Sequence, residues 1–105
     1  MTYVSGDQRT NQRIKVYSLT TILLDGVFEL PRWWSIDEWS RESVKVALNR
    51  CQHALDAVED SVHDLGIVDD LDECSQAAIL FAEAACLDCR GDIELVESEL
   101  LRYAH

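Results

Sequence analysis

Apolar residues recur at steps of three and four through the middle of the chain, and this pattern constrains the fold more than any other feature. The stripe consists of Val44, Leu48, Cys51, Leu55, Val58, Val62 and Leu65. Such spacing keeps one face of an α-helix apolar through about three heptads and suits no β-strand. The sequence therefore predicts a long amphipathic helix.

Both ends of this helix have sequence signals. Ser35 followed three residues later by Glu38 is typical of a capping box at a helix start. Gly66 can adopt the left-handed conformation that closes many helices. We therefore predict a helix over 35–65 closed by Gly66. At 1.5 Å rise per residue it is roughly 45 Å long, which predicts an elongated molecule, a dimer or both.

A second long helix is predicted over 72–104, with Asp69, Asp70 or Asp72 available as its N-cap. Its apolar stripe is taken as Ala77, Leu80, Ala84 and Leu87, with Ala78, Phe81 and Ala85 beside it. Beyond Gly91 the stripe moves to Ile93, Val96, Leu100 and Tyr103. Gly91 either breaks the helix or is a glycine tolerated in one continuous helix, and the displacement of the stripe favours a bend or a break.

The segment 13–30 fits two structures. Its β-branched residues and the Asp25-Gly26 pair favour a β-hairpin, whereas Gly26 could equally close a short helix that begins near Asn11 or Ser18. We favour the helix slightly, because its neighbours are helical and a lone hairpin leaves exposed strand edges. Residues 1–12 are polar without periodicity and are expected to form a flexible arm.

Together these elements predict a mainly α fold in one domain over 1–105. Its centre is a long antiparallel helical hairpin formed by 35–65 and 72–104, with the N-terminal helix or β-hairpin packed on it. Two helices alone cannot cover both apolar stripes. We expect the remaining apolar surface to be buried by residues 13–30, by a second copy of the chain that completes a bundle, or by a partner.

Charge is distributed unevenly along the chain, whose formal net charge is -11. The net charge is +1 over 1–34, −4 over 35–65 and −8 over 66–105. Such a surface repels nucleic acid and lipid head groups and attracts basic proteins. The chain has no run of eighteen apolar residues and no basic segment followed by an apolar one at its start. We therefore expect neither membrane insertion nor secretion, and a cytoplasmic location.

Acidic residues form a line along the first long helix, opposite its apolar stripe. Asp56, Asp60 and Asp64 are four residues apart, with Glu59 and His63 beside them. We expect these carboxylates to bind the partner, together with Trp33, which is the tryptophan expected to be free of packing. Trp34 and Trp39 have the spacing of a hydrophobic staple. Glu83 lies seven residues from both Gln76 and Arg90 and is interpreted as part of an ordinary polar stripe.

Four cysteines raise the alternative of a metal-binding or metal-sensing bundle. Cys86 and Cys89 form a CxxC motif, and Cys51 and His63 are the weaker candidates for further ligands. The CxxC motif lies in an alanine-rich helix rather than in the tight turn typical of zinc knuckles. Reduced, buried cysteines are the favoured interpretation.

No catalytic motif is present, and three histidines leave little for general acid and base chemistry. We expect no enzyme activity and no cofactor. The favoured hypothesis is a small acidic interaction protein, acting as an inhibitor, an immunity-type protein or an adaptor, that binds a basic protein surface. One form of it is mimicry of nucleic acid. A structural module that forms a homodimer is a further alternative.

Overall fold

The chain folds as three α-helices packed against each other, in a computed structural model that describes residues 6–30, 39–67 and 72–102. Helix α1 spans Gly6–Phe28, α2 spans Arg41–Gly66 and α3 spans Glu73–Arg102. The molecule is elongated, with extents of 61 × 20 × 17 Å. The predicted mainly α class and the predicted elongation are therefore confirmed, and the described segments contain no strand.

Helix α1 decides between the two structures that the sequence allowed for 13–30. The β-hairpin is wrong, and the helix is longer at both ends than predicted, because it begins at Gly6 and passes through Gly26 to Phe28. Residues 6–12, expected to belong to a flexible arm, form its first two turns, while 1–5 lie outside the described residues. Its buried line is apolar except for Thr20, whose hydroxyl donates to the Val16 carbonyl at 2.7 Å.

Helix α2 buries the predicted stripe, with Val62 only partly buried, but it begins later than predicted. Its N-cap is Ser40, whose hydroxyl accepts a hydrogen bond from the Ser43 amide at 3.1 Å, so the predicted start at Ser35 is wrong. Ser35 and Glu38 themselves lie outside the described residues. A helix begun at Ser35 would place Asp37 on the core-facing line, seven residues before Val44.

The end of α2 is where the sequence placed it, but its geometry differs. The helix ends at Gly66, and the Ile67 amide donates to the His63 carbonyl at 3.2 Å. No glycine among the described residues has a positive φ, so the predicted left-handed closure at Gly66 is wrong. Ile67 has φ −82° and ψ −3°, which ends the helix with an ordinary right-handed turn.

Helix α3 is continuous through Gly91, so the predicted break there is wrong. The predicted stripe of Ala77, Leu80, Ala84 and Leu87 is exposed, and the neighbouring line is buried instead. That buried line runs without displacement along the helix through Ala78, Ala82, Ala85, Cys86, Cys89, Ile93 and Val96. The apparent shift at Gly91 arose because alanines stand on two adjacent lines and the sequence does not say which one is packed.

Three aspartates were predicted as candidates for the N-cap of α3, and Asp72 is the one that caps it. Its carboxylate accepts a hydrogen bond from the Ser75 amide at 2.7 Å. Ser75, through its side chain and its backbone amide, holds the pKa of Asp72 below its usual range, and Arg13 and Arg9 of α1 lower it further. Nη1 of the Arg13 guanidinium lies 3.5 Å from Oδ2 of the Asp72 carboxylate, so the start of α3 is next to the N-terminal half of α1.

Candidate functional site

Polar contacts between α2 and α3 define the edge of the candidate site. The Arg90 guanidinium of α3 donates to the Glu59 carboxylate of α2, and the Gln52 amide of α2 donates to Glu97 of α3 at 3.0 Å. Arg90 and Glu97 are seven residues apart, as are Gln52 and Glu59, so both pairs follow the same heptad spacing. Arg90, at one end of the polar stripe predicted as ordinary, therefore lies where α3 meets α2.

Among the predicted binding residues of α2, Glu59 lies on this edge, in contact with Arg90 of α3. Asp56, Glu59, Asp60 and Asp64 are all exposed, and Glu59 alone among them has an ion-pair partner in the described segments. Each four-residue step turns about 40° around a helix, so the line from Asp56 to Asp64 rotates away from α3. Among the described ones, Glu59 is thus the residue that contacts α3, while Trp33 lies outside the described residues.

Helix α3 contributes a second set of acids, none of which was predicted as a binding residue. Glu83 shares a groove with Glu59, Glu97 accepts from Gln52, and Glu94 follows Arg90 by one turn on the same side of α3. The surface called here the acidic face consists of Asp56, Glu59, Asp60, Glu83, Glu94 and Glu97. The heptad spacing of Glu83, Arg90 and Glu97 was the sequence signal that could have identified this contribution.

A groove of about 350 Å³ lies within the acidic face between α2 and α3. Its lining combines carboxylates with apolar side chains and one guanidinium: Glu59, Val62, Glu83, Cys86, Leu87 and Arg90. Such a mixture suits the side chains of lysine and arginine, which carry a charged head on an aliphatic stem. The acidic face therefore offers both charge and apolar surface to a basic partner.

The candidate metal ligands are not arranged as a metal site. Cys51, Cys86 and Cys89 are buried, whereas His63 is exposed on the acidic side of α2. Burial chiefly raises the pKa of the Cys89 thiol to about 11, with Asp92 and the neighbouring cysteines adding to the effect, while metal binding requires the thiolate. Across 6–30, 39–67 and 72–102, no three cysteine, histidine or acidic side chains form a group that could hold a metal ion.

A second groove, of about 360 Å³, lies beside Trp39 at the start of α2. It is lined by Gly26 of α1, by Glu29 and Trp39, which lie just after α1 and just before α2, and by residues of α2 that include Arg50 and Cys51. A Cβ built on Gly26 would lie 3.6 Å from the Cys51 sulfur, so α1 and α2 approach each other closely here. Burial, and to a lesser degree Glu29, raise the pKa of the Cys51 thiol, which keeps it protonated.

None of the three described helices is long and apolar enough to cross a membrane. Comparisons of the chain with protein-family models, with curated proteins and with solved structures find no match.

Proposed function

We propose that this chain is a small acidic helical interaction module that binds a basic protein surface through the acidic face. The observation that carries the proposal is the convergence of exposed acids from α2 and α3 on one surface that contains a groove. Its action is that of an inhibitor, an immunity-type protein or an adaptor, without catalysis. The partner is a protein rather than a nucleic acid or a membrane, because both of these carry negative charge.

An antiparallel hairpin of α2 and α3 is part of this proposal. The pairs Gln52–Glu97 and Glu59–Arg90 support it, because the residue number rises along α2 while it falls along α3. In that arrangement Asp56 stands opposite Glu94, and Val62 stands near Glu83. Carboxylates then flank the groove on both sides along its length, which a single helix could not provide.

Arg90 has a particular place in the proposed interface. It is the only base among the described residues that line the groove. It forms an ion pair with Glu59, and both side chains are about half exposed. A cation supplied by the partner can therefore compete with Arg90 for the Glu59 carboxylate. One form of the function is mimicry of nucleic acid, in which the carboxylates occupy a site made for phosphates.

The experiment is a pull-down from the native host with mass spectrometry, comparing the wild type with two triple variants. The face variant carries Asp56→Asn, Asp60→Asn and Glu94→Gln, and the control variant carries Asp25→Asn, Glu29→Gln and Asp88→Asn. Both remove the same charge from exposed positions. We expect the control variant to retain a basic partner that the face variant loses. Equal retention by both variants would contradict the proposal.

A further inference from the structure

Helix α3 has two apolar faces, of which the three-helix bundle buries one. The exposed face carries Leu80 at 66% exposure between Ala77 and Ala84, which lie one turn to either side of it. Phe81 adjoins this line and is 42% exposed. A helix that is apolar on two faces normally contacts partners on both of them.

Helix α1 extends this surface across the junction between the two helices. The Tyr17 ring lies 5.6 Å from the Phe81 ring, centroid to centroid, with the planes inclined at 35°. Tyr17 is 42% exposed despite this contact, and Ile14, one turn away, is 56% exposed. The surface called here the apolar face consists of Ile14, Tyr17, Ala77, Leu80, Phe81 and Ala84.

We infer that the apolar face binds a second copy of this chain and forms a two-fold symmetric dimer. The six residues are uncharged, and the exposed acids Glu73 and Asp88 lie one turn beyond Ala77 and Ala84, outside the face. At the exposures found, these side chains offer on the order of 500 Å² per copy. Complete burial of these side chains in two copies removes about 1,000 Å², which is the lower threshold for a specific interface, and neighbouring residues must add to it.

The spacing of large and small residues also fits self-association. With the two-fold axis near Leu80, the Leu80 side chain of each copy falls between Ala77 and Ala84 of the other. Small residues one turn to either side of a leucine allow two helices to approach closely. The same patch thus supplies both the projecting side chain and the space that receives it.

The test is sedimentation equilibrium of the full chain from low micromolar to several hundred micromolar concentration. We expect the wild type to dimerise with a Kd on the order of micromolar. Leu80→Gln and Ala84→Glu should each weaken the dimer by roughly tenfold or more, since each change occurs twice in the interface. The matched control is Ile22→Gln, because Ile22 is 58% exposed but lies on the flank of α1 that turns away from α3.

The variants alter exposed positions, and their helicity by circular dichroism should equal that of the wild type. Added salt should leave the dimer unchanged or strengthen it, because salt screens the repulsion between two acidic chains. A wild type that is monomeric at every concentration would overturn the inference. A dimer unaffected by Leu80→Gln and Ala84→Glu, equally weakened by Ile22→Gln, or dissociated by salt would overturn it too. None of these results bears on the acidic face, whose binding is tested with a different partner.

Discussion

Arg90 of α3 donates a hydrogen bond to Glu59 of α2, and this ion pair is the point at which the acidic face is partly neutralised. Both side chains are about half exposed, at 51% and 44%. Ion pairs at such exposure contribute little to stability, because water and salt screen them. We therefore interpret the pair as a device that limits the charge of the face rather than as a support for the fold.

Replacing Arg90 with glutamine should strengthen binding of the basic partner. The change frees the Glu59 carboxylate, and we expect roughly two- to fivefold tighter binding by isothermal titration calorimetry. The control is Arg102→Gln, which changes the net charge equally but breaks a pair with Glu99 inside α3. Weaker binding of Arg90→Gln would show that Arg90 supports the interface instead of competing with the partner.

Replacing Gly91 with alanine should stabilise the protein, because α3 is a continuous helix there. A Cβ at this position meets nothing within 4 Å, and no described glycine has a positive φ. Alanine in a helix interior is favoured over glycine by about 0.5–1 kcal/mol. Urea unfolding at low micromolar protein should show this gain. A loss of stability would instead support the break that the sequence suggested at Gly91.

Alkaline pH should destabilise the fold through Cys89. Its folded pKa of about 11 lies above the usual 9.0, so the unfolded chain releases the thiol proton first. The stability contributed by the protonated thiol is complete below pH 9 and declines as the pH rises towards 11. Urea midpoints across this range should fall less steeply for Cys89→Ala than for the wild type. Parallel slopes would contradict the role assigned to this thiol.

One of the four cysteine thiols should react quickly with a disulfide reagent, and the other three should react slowly. Cys74 is exposed, whereas Cys51, Cys86 and Cys89 are buried, and burial is the main cause of the raised pKa of each buried thiol. Only the thiolate reacts, so a disulfide reagent should modify Cys74 first. In Cys74→Ser the fast phase should disappear. A fast phase that survives this substitution would mean that a second cysteine is accessible in the folded protein.

The sequence predicted α2 best, because its core line is strictly periodic and made of large residues. Helix α3 was correctly predicted as a helix, but the face that it buries was predicted wrongly. Its alanines occupy two adjacent lines, and a small apolar residue is compatible with either burial or exposure. Leu80 and Leu87 made the wrong line look more apolar, and this choice also created the apparent break at Gly91.

The candidate site was half predictable. Asp56, Asp60 and Glu59 could be found from their spacing along one helix, because that is a local property of the sequence. The contribution of Glu83, Glu94 and Glu97 depends on which flank of α3 meets α2. The heptad spacing of Glu83, Arg90 and Glu97 marks a polar line on α3, but choosing the wrong buried line hid the fact that this polar line faces α2.

The most direct test of the central claim is calorimetric titration of the captured basic partner with the two triple variants. We predict that Asp56→Asn, Asp60→Asn and Glu94→Gln together weaken binding by roughly tenfold or more, since several charge contacts are lost at once. The control triple at Asp25, Glu29 and Asp88 should stay within about twofold of the wild type. Equal weakening by both variants would show that only the net charge matters, and would contradict a binding site on the acidic face.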